Sequence, residues 1–222
     1  MNVKHQLTFA FLVTLLSLLA FSFIAVQIST EKIGHFDQLI IAFIQELESP
    51  FLTSGMKFFT FIGSYMGVVL LTVLILCIFS KIVHQRTELI LFVMVITGSV
   101  VLNRLLKEFF HRARPDLHQL IEIGGFSFPS GHAMNAFTVY GILTFLLWQH
   151  IPSKWLRVVL ISFSVFMISA IGISRIYLGV HFPSDILGGY FAGGFWLSIA
   201  IGFFQDYKEK RSYSSKAMEE GR

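Results

Sequence analysis

Long apolar runs separated by short polar segments dominate this chain of 222 residues. A helix that crosses the hydrocarbon core of a bilayer needs about 20 mostly apolar residues. Runs of about that length occupy six parts of the chain, with approximate bounds 7–28, 58–80, 89–106, 131–148, 158–174 and 186–204. The pattern predicts an all-α, polytopic membrane protein with six transmembrane helices, in which residues 1–222 form a single membrane domain.

The two ends of the chain and one loop need separate consideration. The first run could be a secretion signal, but its length of about 22 residues exceeds the roughly 7–15 apolar residues of such signals, so we expect an uncleaved anchor. Residues 36–47 have apolar side chains at helical spacing, typical of a helix in the membrane interface or of an ordinary loop helix. The charged tail, 205–222, is expected to be disordered or frayed.

Composition favours a membrane protein over a soluble one. Hydrophobic residues make up 55% of the chain and charged residues 14%, whereas soluble domains carry about 25% charged residues. The formal net charge of +4 does not indicate a nucleic-acid partner, because the positive residues lie at the ends of apolar runs. The single cysteine, Cys77, lies within an apolar run and cannot form an intramolecular disulfide.

Lysine and arginine predict the orientation, because they are enriched on the cytoplasmic side of membrane proteins. With the N-terminus inside, the inner segments hold ten of these residues and the outer segments hold seven. We therefore expect a multi-pass protein of the plasma membrane with both termini in the cytoplasm. The loops after the first, third and fifth spans would then face outward.

Two of the outward loops, 107–132 and 174–185, are rich in reactive side chains. They contain cations, imidazoles and a carboxylate, together with a serine–glycine pair that precedes one of the imidazoles. Lysine and arginine bind phosphate strongly, and arginine does so through two parallel hydrogen bonds. The set predicts a site for a strong anion at the extracytoplasmic interface, built from Lys107, Arg114, Ser130, Gly131, His132, Arg175, His181 and Asp185.

The segment 129–132 is typical of a helix N-terminus that binds an anion. Pro129 cannot continue a helix backwards, Ser130 can cap one, and Gly131 lets a ligand approach the backbone. The free amides of the first turn and the helix dipole attract anions, and His132 would stand where a leaving group could be protonated. The alternative is an ordinary helix start with a histidine at headgroup depth.

The other reactive residues also have two interpretations each. Lys107 and Arg114 are about two helical turns apart and would share a face if the third helix extends that far; otherwise they reach towards lipid headgroups. Arg112, nearby, is assigned no chemical role. Asp185, four residues after His181, would fix the tautomer of the imidazole, which could then act as a nucleophile or base. The alternative is that the two residues form a structural pair.

Together these segments resemble the signature of the type 2 phosphatidic acid phosphatase superfamily. Its three motifs, K-x6-R-P, P-S-G-H and S-R-x5-H-x3-D, match "KEFFHRARP" at 107–115, "PSGH" at 129–132 and "SRIYLGVHFPSD" at 174–185. All three are complete, in order, and on one side of the predicted membrane. The chain is thus similar to bacterial membrane lipid phosphatases of the phosphatidylglycerophosphatase B type.

The resemblance implies a role for each matched residue. His181 would attack phosphorus to form a phosphohistidine, with Asp185 orienting the ring, and His132 would protonate the leaving oxygen and then activate water. The family uses no metal or other cofactor, and the acidic residues of these loops show no ligand spacing that suggests one. The residues implied to hold the phosphoryl oxygens are Lys107, Arg114, Ser130, Gly131 and Arg175.

The implied substrate is a lipid phosphate that reaches the site by lateral diffusion in the bilayer. Phosphatidylglycerophosphate is favoured, with phosphatidic acid and undecaprenyl diphosphate as alternatives. Two other functions stay open, a lipid phosphotransferase and a non-catalytic lipid-binding or transport protein of the same fold. No obligate protein partner is evident, and Gly189 and Gly193 predict close helix packing within the chain, with a dimer contact as the alternative.

Overall fold

A computed structural model of the chain describes residues 3–82, 86–116 and 118–220. Within these ranges the backbone is helical apart from connecting segments and contains no strand, so the predicted all-α class is confirmed there. The helices are α1 (Val3–Ser29), α2 (Gly34–Gln45), α3 (Pro50–Gly63), α4 (Tyr65–Ile82), α5 (Arg86–Phe110), α6 (Gly131–Trp148), α7 (Lys154–Tyr177) and α8 (Pro183–Glu220).

Length and apolar composition identify the helices that can cross a membrane. α3 and the Tyr65–Cys77 part of α4 qualify together as one span. α6 has the predicted bounds, 131–148, but is not among the segments that qualify, so the count of six spans stays a prediction. Four further segments qualify on their own: Leu7–Ser29, Arg86–Phe110, Lys154–Tyr177 and Pro183–Arg211.

The prediction of one continuous helix over 58–80 is wrong, because α3 and α4 meet there at a bend of 62°. Ser64 has an extended backbone with φ −70° and ψ 162°, which ends α3. Its hydroxyl donates to Phe61 O at 2.7 Å and accepts from Gly67 N at 3.1 Å, so one side chain ends one helix and caps the next. A Cβ at Gly67 would lie 2.1 Å from Phe61 O, so the bend requires glycine at this position.

Two segments outside the six predicted spans are also helical. α2 covers most of the predicted stretch 36–47, while its placement in a membrane interface stays a prediction. The expectation of a disordered tail is wrong for the described residues from 205 onward, which continue α8. Lys208 donates to Glu88 of α5 at 2.9 Å and Lys210 donates to Asp206 at 2.7 Å, and such contacts stabilise an exposed helix.

α6 lies at the centre of the bundle and packs against α5, α7 and α8. Buried side chains of α6, including Ile142 and Leu146, pack with Phe92 and Val95 of α5 in an apolar core. α8 also packs along α1. This arrangement brings the C-terminal end of α5 and the N-terminal ends of α6 and α8 together, where they exchange hydrogen bonds.

Glycines on α8 allow it to approach α6 closely. A Cβ at Gly189 would lie 2.7 Å from Ser130 O and 2.9 Å from Ala133 Cβ, and a Cβ at Gly193 would lie 3.1 Å from Met134 O. The prediction that these two glycines pack helices within the chain is confirmed. The contact holds the first turns of α6 against the first turns of α8.

The substitution Gly189→Ala should destabilise the protein, because its Cβ would force α6 and α8 apart. Overpacking of this kind costs about 1–3 kcal/mol, which lowers the Tm of a chain of this size by several degrees. Thermal unfolding in detergent measures the effect. Gly202→Ala is the control, since its Cβ would lie 3.7 Å from Ala10 Cβ, in ordinary contact. A Gly189→Ala protein with the wild-type Tm would contradict the close packing.

Candidate active site

The residues predicted for the site gather where helix ends meet. Some lie in the last turn of a helix, some at the N-cap or in the first turn, and two lie in the connecting segments 111–129 and 178–182. They are Lys107 at the end of α5, Ser130, Gly131 and His132 at the start of α6, Arg175 at the end of α7, Asp185 at the start of α8, and the loop residues Arg114 and His181.

His181 and Asp185 form a buried pair, with 2% and 0% of their surfaces exposed. Nδ1 of His181 lies 3.3 Å from Asp185 Oδ2 and 3.2 Å from Ser127 Oγ. The Ser127 hydroxyl donates its own proton to the same Oδ2 at 2.5 Å, so its lone pairs are free to accept from Nδ1. Both neighbours therefore favour a proton on Nδ1.

Arg114 contacts the other nitrogen of the same ring. Its Nη1 lies 3.1 Å from His181 Nε2 and donates to Val180 O at 2.8 Å. Because a guanidinium has no acceptor, Nε2 must accept this hydrogen bond. We therefore assign the imidazole proton to Nδ1 and a lone pair to Nε2, which is the tautomer that a nucleophile needs.

The ionisation of His181 is set mainly by its burial. Burial lowers the pKa of His181 to about 3, although the hydrogen bond and charge of Asp185 act in the opposite direction. The ring is consequently neutral at pH 7. A neutral ring keeps its Nε2 lone pair for attack on an electrophile, whereas a protonated ring has none.

The carboxylate of Asp185 has donors on both oxygens. Oδ1 accepts from Arg112 Nη1 at 2.6 Å, and Oδ2 accepts from Phe182 N at 2.9 Å in addition to Ser127. A buried charge is tolerated when it has a counter-ion and hydrogen bonds, and Asp185 has both. The carboxylate is thereby held ionised and in one orientation against His181.

The segment 129–132 begins α6 as the sequence predicts. Ser130 is the N-cap, and its side chain accepts a backbone N–H of the first turn at 3.5 Å. Ser130 N donates to Asp185 O at 3.0 Å, and Asn103 of α5 donates to Pro129 O at 3.1 Å. A Cβ at Gly131 would lie 2.9 Å from Asn103 Oδ1, so this approach requires glycine. Hydrogen bonds from α5 and α8 thus fix the turn.

His132 lies in the first turn of α6, beside the end of α3. A Cβ placed on Gly63 would be 3.2 Å from its Cδ2. The ring interacts electrostatically with His181 and with three cations, Arg175, Arg114 and Lys107. The two imidazoles therefore border the same cationic region.

Neutral oxygens hold two of these cations. Lys107 Nζ donates to Phe126 O and lies 3.4 Å from Ser127 O. Arg175 donates through Nη1 to Thr60 Oγ1 of α3, and its buried Nε has no hydrogen-bond partner among the described residues. Because carbonyl and hydroxyl oxygens carry no net charge, the positive charge of these side chains is available to an anionic ligand.

Lys107 and Arg114 do not share a helical face, contrary to the sequence-based interpretation. α5 ends at Phe110, and Arg114 lies in the loop that follows. Arg114 Nε donates to Gly125 O at 3.0 Å, so the loop folds back on itself before α6 begins. The fold of the loop, rather than the helical repeat, places these two cations near each other.

Comparison with known proteins decides the family. The PAP2 superfamily model matches residues 88–209, which is more than half of the chain and contains all three motifs. The chain belongs to the PAP2 superfamily. The resemblance stated from the motifs is thereby confirmed, and this PAP2 chain is an enzyme of a phosphatase family.

Relatives of this PAP2 chain include named lipid phosphatases. Phosphatidylglycerophosphatase B of Bacillus subtilis (strain 168) is 34% identical over 196 residues, covering 87% of this chain and 95% of that protein. Lipid A 4'-phosphatase of Bacteroides thetaiotaomicron is 30% identical over 184 residues, covering 75% and 77%. The crystal structure of a transmembrane PAP2 type phosphatidylglycerolphosphate phosphatase from Bacillus subtilis has a TM-score of 0.81 at 30% identity, covering 87% of this chain and 96% of that one.

Sequence reasoning misses several side chains around this PAP2 site, among them Arg112 and Ser127. Arg112 is assigned no chemical role from the sequence, but it lies 2.6 Å from Asp185, which corrects that assignment. The available signal was a further arginine on the predicted outer side, where such residues are disfavoured. Ser127 contacts both His181 and Asp185, and nothing in its sequence position indicates this.

Metal ligands are not grouped in the described part of this PAP2 chain. There, no group of three or more His, Cys, Asp or Glu side chains could hold a metal ion. The site consists instead of a neutral imidazole on a buried carboxylate, a second imidazole, and cations from two helices and a loop. Such a set can bind a phosphoryl group, attack it and protonate a leaving oxygen.

Ser127→Ala should lower kcat by about 10-fold or more, because Asp185 loses a hydrogen-bond donor and His181 Nδ1 loses an acceptor. Phosphate release from a lipid phosphate by the purified, detergent-solubilised protein measures this. Ser54→Ala is the control, since Ser54 is exposed on α3 and donates to Pro50 O at 3.0 Å. Wild-type kcat in Ser127→Ala would show that this contact does not support the histidine.

Proposed function

We propose that this chain hydrolyses the phosphate headgroup of a membrane lipid, with phosphatidylglycerophosphate as the favoured substrate, through a phosphohistidine on His181. The observation that carries the proposal is the environment of that ring. Nδ1 faces Asp185 and Ser127, while Nε2 faces the guanidinium of Arg114. A neutral imidazole whose lone pair points into a cationic region is suited to attack an anionic phosphorus centre.

The phosphoryl group binds between the cations and the first turn of α6. Lys107, Arg114 and Arg175 take its oxygens, since positioning and charge stabilisation dominate phosphoryl transfer. Ser130 contributes its hydroxyl proton, because its N–H already donates to Asp185 O. Gly131 contributes the close approach of its backbone and the positive end of the helix dipole.

The first chemical step transfers the phosphoryl group to the enzyme. The Nε2 lone pair of His181 forms a bond to phosphorus as the bond from phosphorus to the lipid oxygen breaks. The electron pair of the broken bond stays on that oxygen, which takes a proton from His132, whose ring is held protonated by the negative charge of the bound phosphoryl group. Arg114 exchanges its hydrogen bond to Nε2 for one to a phosphoryl oxygen, and Asp185 stabilises the positive charge that the ring acquires.

The second step releases phosphate. Water attacks phosphorus on the side opposite Nε2, and His132, neutral after the first step, removes a proton from that water. The bond from phosphorus to Nε2 breaks, and its electron pair returns to the nitrogen. His132 thereby regains the proton that it gave up, and both imidazoles are ready for the next substrate.

The choice of substrate rests on the relatives. The Bacillus subtilis protein named for phosphatidylglycerophosphate aligns over 95% of its own length. Phosphatidic acid and undecaprenyl diphosphate are the alternatives, because each presents a terminal phosphoryl group to the same side chains. A lipid phosphate would reach a site at the end of the helix bundle by diffusion within the bilayer.

We further propose that the site faces outward and that both termini lie in the cytoplasm, with residues 1–222 forming one domain of six spans. This orientation follows from the distribution of lysine and arginine over the loops. The reaction proceeds without a metal ion, because Lys107, Arg114 and Arg175 supply the positive charge that metals supply in other phosphatases.

His181→Ala should lower turnover by at least about 1,000-fold, because no other group replaces the attacking nitrogen. Wild-type enzyme quenched during turnover of a ³²P-labelled lipid phosphate should carry an acid-labile, base-stable phosphoryl group that His181→Ala lacks. His5→Ala, at an exposed histidine of α1, is the control and should behave as wild type. Excess chelator should leave the rate unchanged; a strict magnesium requirement, or wild-type turnover by His181→Ala, would refute the mechanism.

A panel of lipids should give the highest kcat/KM with phosphatidylglycerophosphate, compared with phosphatidic acid, undecaprenyl diphosphate and a soluble phosphate ester in matched detergent. Phosphate release measures the ranking, and a higher value for either alternative lipid would reassign the substrate. The same labelled lipids separate the other functions. Label transferred to an added acceptor would indicate a phosphotransferase, and binding without turnover would indicate a non-catalytic protein.

A further inference from the structure

α2 carries a carboxylate into the active site that none of the three motifs includes. Asp37 is 1% exposed, whereas its helix neighbours Leu39 and Phe43 are 58% and 65% exposed. A buried carboxylate on such an exposed helix is stable only if specific partners surround it. Those partners therefore indicate what Asp37 does.

The hydrogen-bond partners of Asp37 are Ser184, the residue next to Asp185, and Arg112, which also bonds to Asp185. Its Oδ1 accepts from Ser184 N at 2.9 Å, and its Oδ2 accepts from Ser184 Oγ at 2.7 Å. The same Oδ2 accepts from Arg112 Nη2 at 2.9 Å. Asp37 thus contacts the residue before Asp185 and the counter-ion of Asp185, and these hydrogen bonds involve no side chain proposed to hold the phosphoryl group.

Arg112 is fixed between the two carboxylates. Its Nη1 donates to Asp185 Oδ1 at 2.6 Å and to Ser184 Oγ at 2.8 Å, while its Nη2 donates to Asp37. The ring of Phe182 lies 4.2 Å from its Cζ, on one face of the guanidinium. Because the two nitrogens belong to one rigid planar group, the position of Nη2 on Asp37 determines where Nη1 meets Asp185.

The charges of the three residues add a second effect. Arg112 and Asp185 alone are neutral as a pair, but Asp37 gives the cluster one net negative charge. His181 becomes positive when Nε2 bonds to phosphorus, so a net negative charge behind it stabilises that state more than a neutral pair would.

We propose that Asp37 is a positioning residue that acts through Arg112 to orient Asp185 and to keep the cluster behind His181 negatively charged. The proposal rests on the phosphohistidine mechanism above. It assigns a part in the chemistry to α2, which lies far from the three motifs in sequence.

A structural role is the competing explanation, because the bond from Ser184 N to Asp37 also ties α2 to the first turn of α8. Pre-steady-state kinetics with an excess of ³²P-labelled lipid phosphate over enzyme separate the two. The amplitude of the burst reports the fraction of folded, competent enzyme, and the rate constant reports the chemical step. A structural role lowers the amplitude, whereas a positioning role lowers the rate constant.

Asp37→Asn is the test, since it keeps the size of the side chain, removes the charge and leaves Arg112 with Asp185 as counter-ion. The rate constant for phosphoenzyme formation should fall about 10-fold, with the burst amplitude retained and KM changed by less than about 2-fold. Asp116→Asn is the control, since it removes an exposed carboxylate from the loop that carries Arg112, and it should match wild type. A wild-type rate constant in Asp37→Asn would overturn the proposal.

Ser184→Ala is a second variant that does not change any charge. It removes the hydroxyl shared by Asp37 and Arg112, and the rate constant should fall about 3-fold at constant amplitude. If Asp37→Asn fails to fold, a wild-type rate constant in Ser184→Ala overturns the proposal. His181→Ala measured in parallel keeps the two ideas apart. If His181→Ala forms phosphoenzyme normally, the proposed function fails; if it does not and Asp37→Asn behaves as wild type, only the role of Asp37 fails.

Discussion

The buried charge of Asp185 is the constraint on which the rest of the site depends. A carboxylate with no exposed surface is tolerated only where donors and a cation surround it. Here the loop before α6 supplies Ser127 and Arg112, and the segment before α8 supplies the N–H of Phe182. The contacts that make the burial tolerable are therefore the same contacts that orient His181, so stability and reactivity have one structural origin.

Backbone contacts link this charge to the turn at the start of α6 that is proposed to bind phosphate. Ser130 N donates to Asp185 O, and Gly189 lets α8 approach the same turn without a side chain between them. The start of α6 and the start of α8 are consequently held against each other by a main-chain hydrogen bond and a close backbone contact.

Local features of the fold could be predicted from the sequence, and contacts between distant segments could not. The bounds of α6 follow from Ser130 and the apolar run after it, because capping and helix periodicity act over a few residues. Asp37 and Arg112 are 75 residues apart, and Thr60 and Arg175 are 115 apart, so no local pattern joins them. The bend at Ser64 could not be predicted, because an apolar run indicates that a segment lies in an apolar environment and does not indicate whether its helix is straight.

The hydrogen bond from Arg114 to His181 Nε2 has a consequence for selectivity in the resting enzyme. The reactive lone pair is masked by a guanidinium that is itself held by Val180 O and Gly125 O. An uncharged electrophile forms no ionic hydrogen bond with the guanidinium, so Arg114 stays on Nε2 and the nitrogen stays blocked. In the proposed mechanism, a dianionic phosphoryl group draws the guanidinium onto its own oxygens and frees Nε2 in the same movement, so the nucleophile becomes available only to substrates that carry such a group.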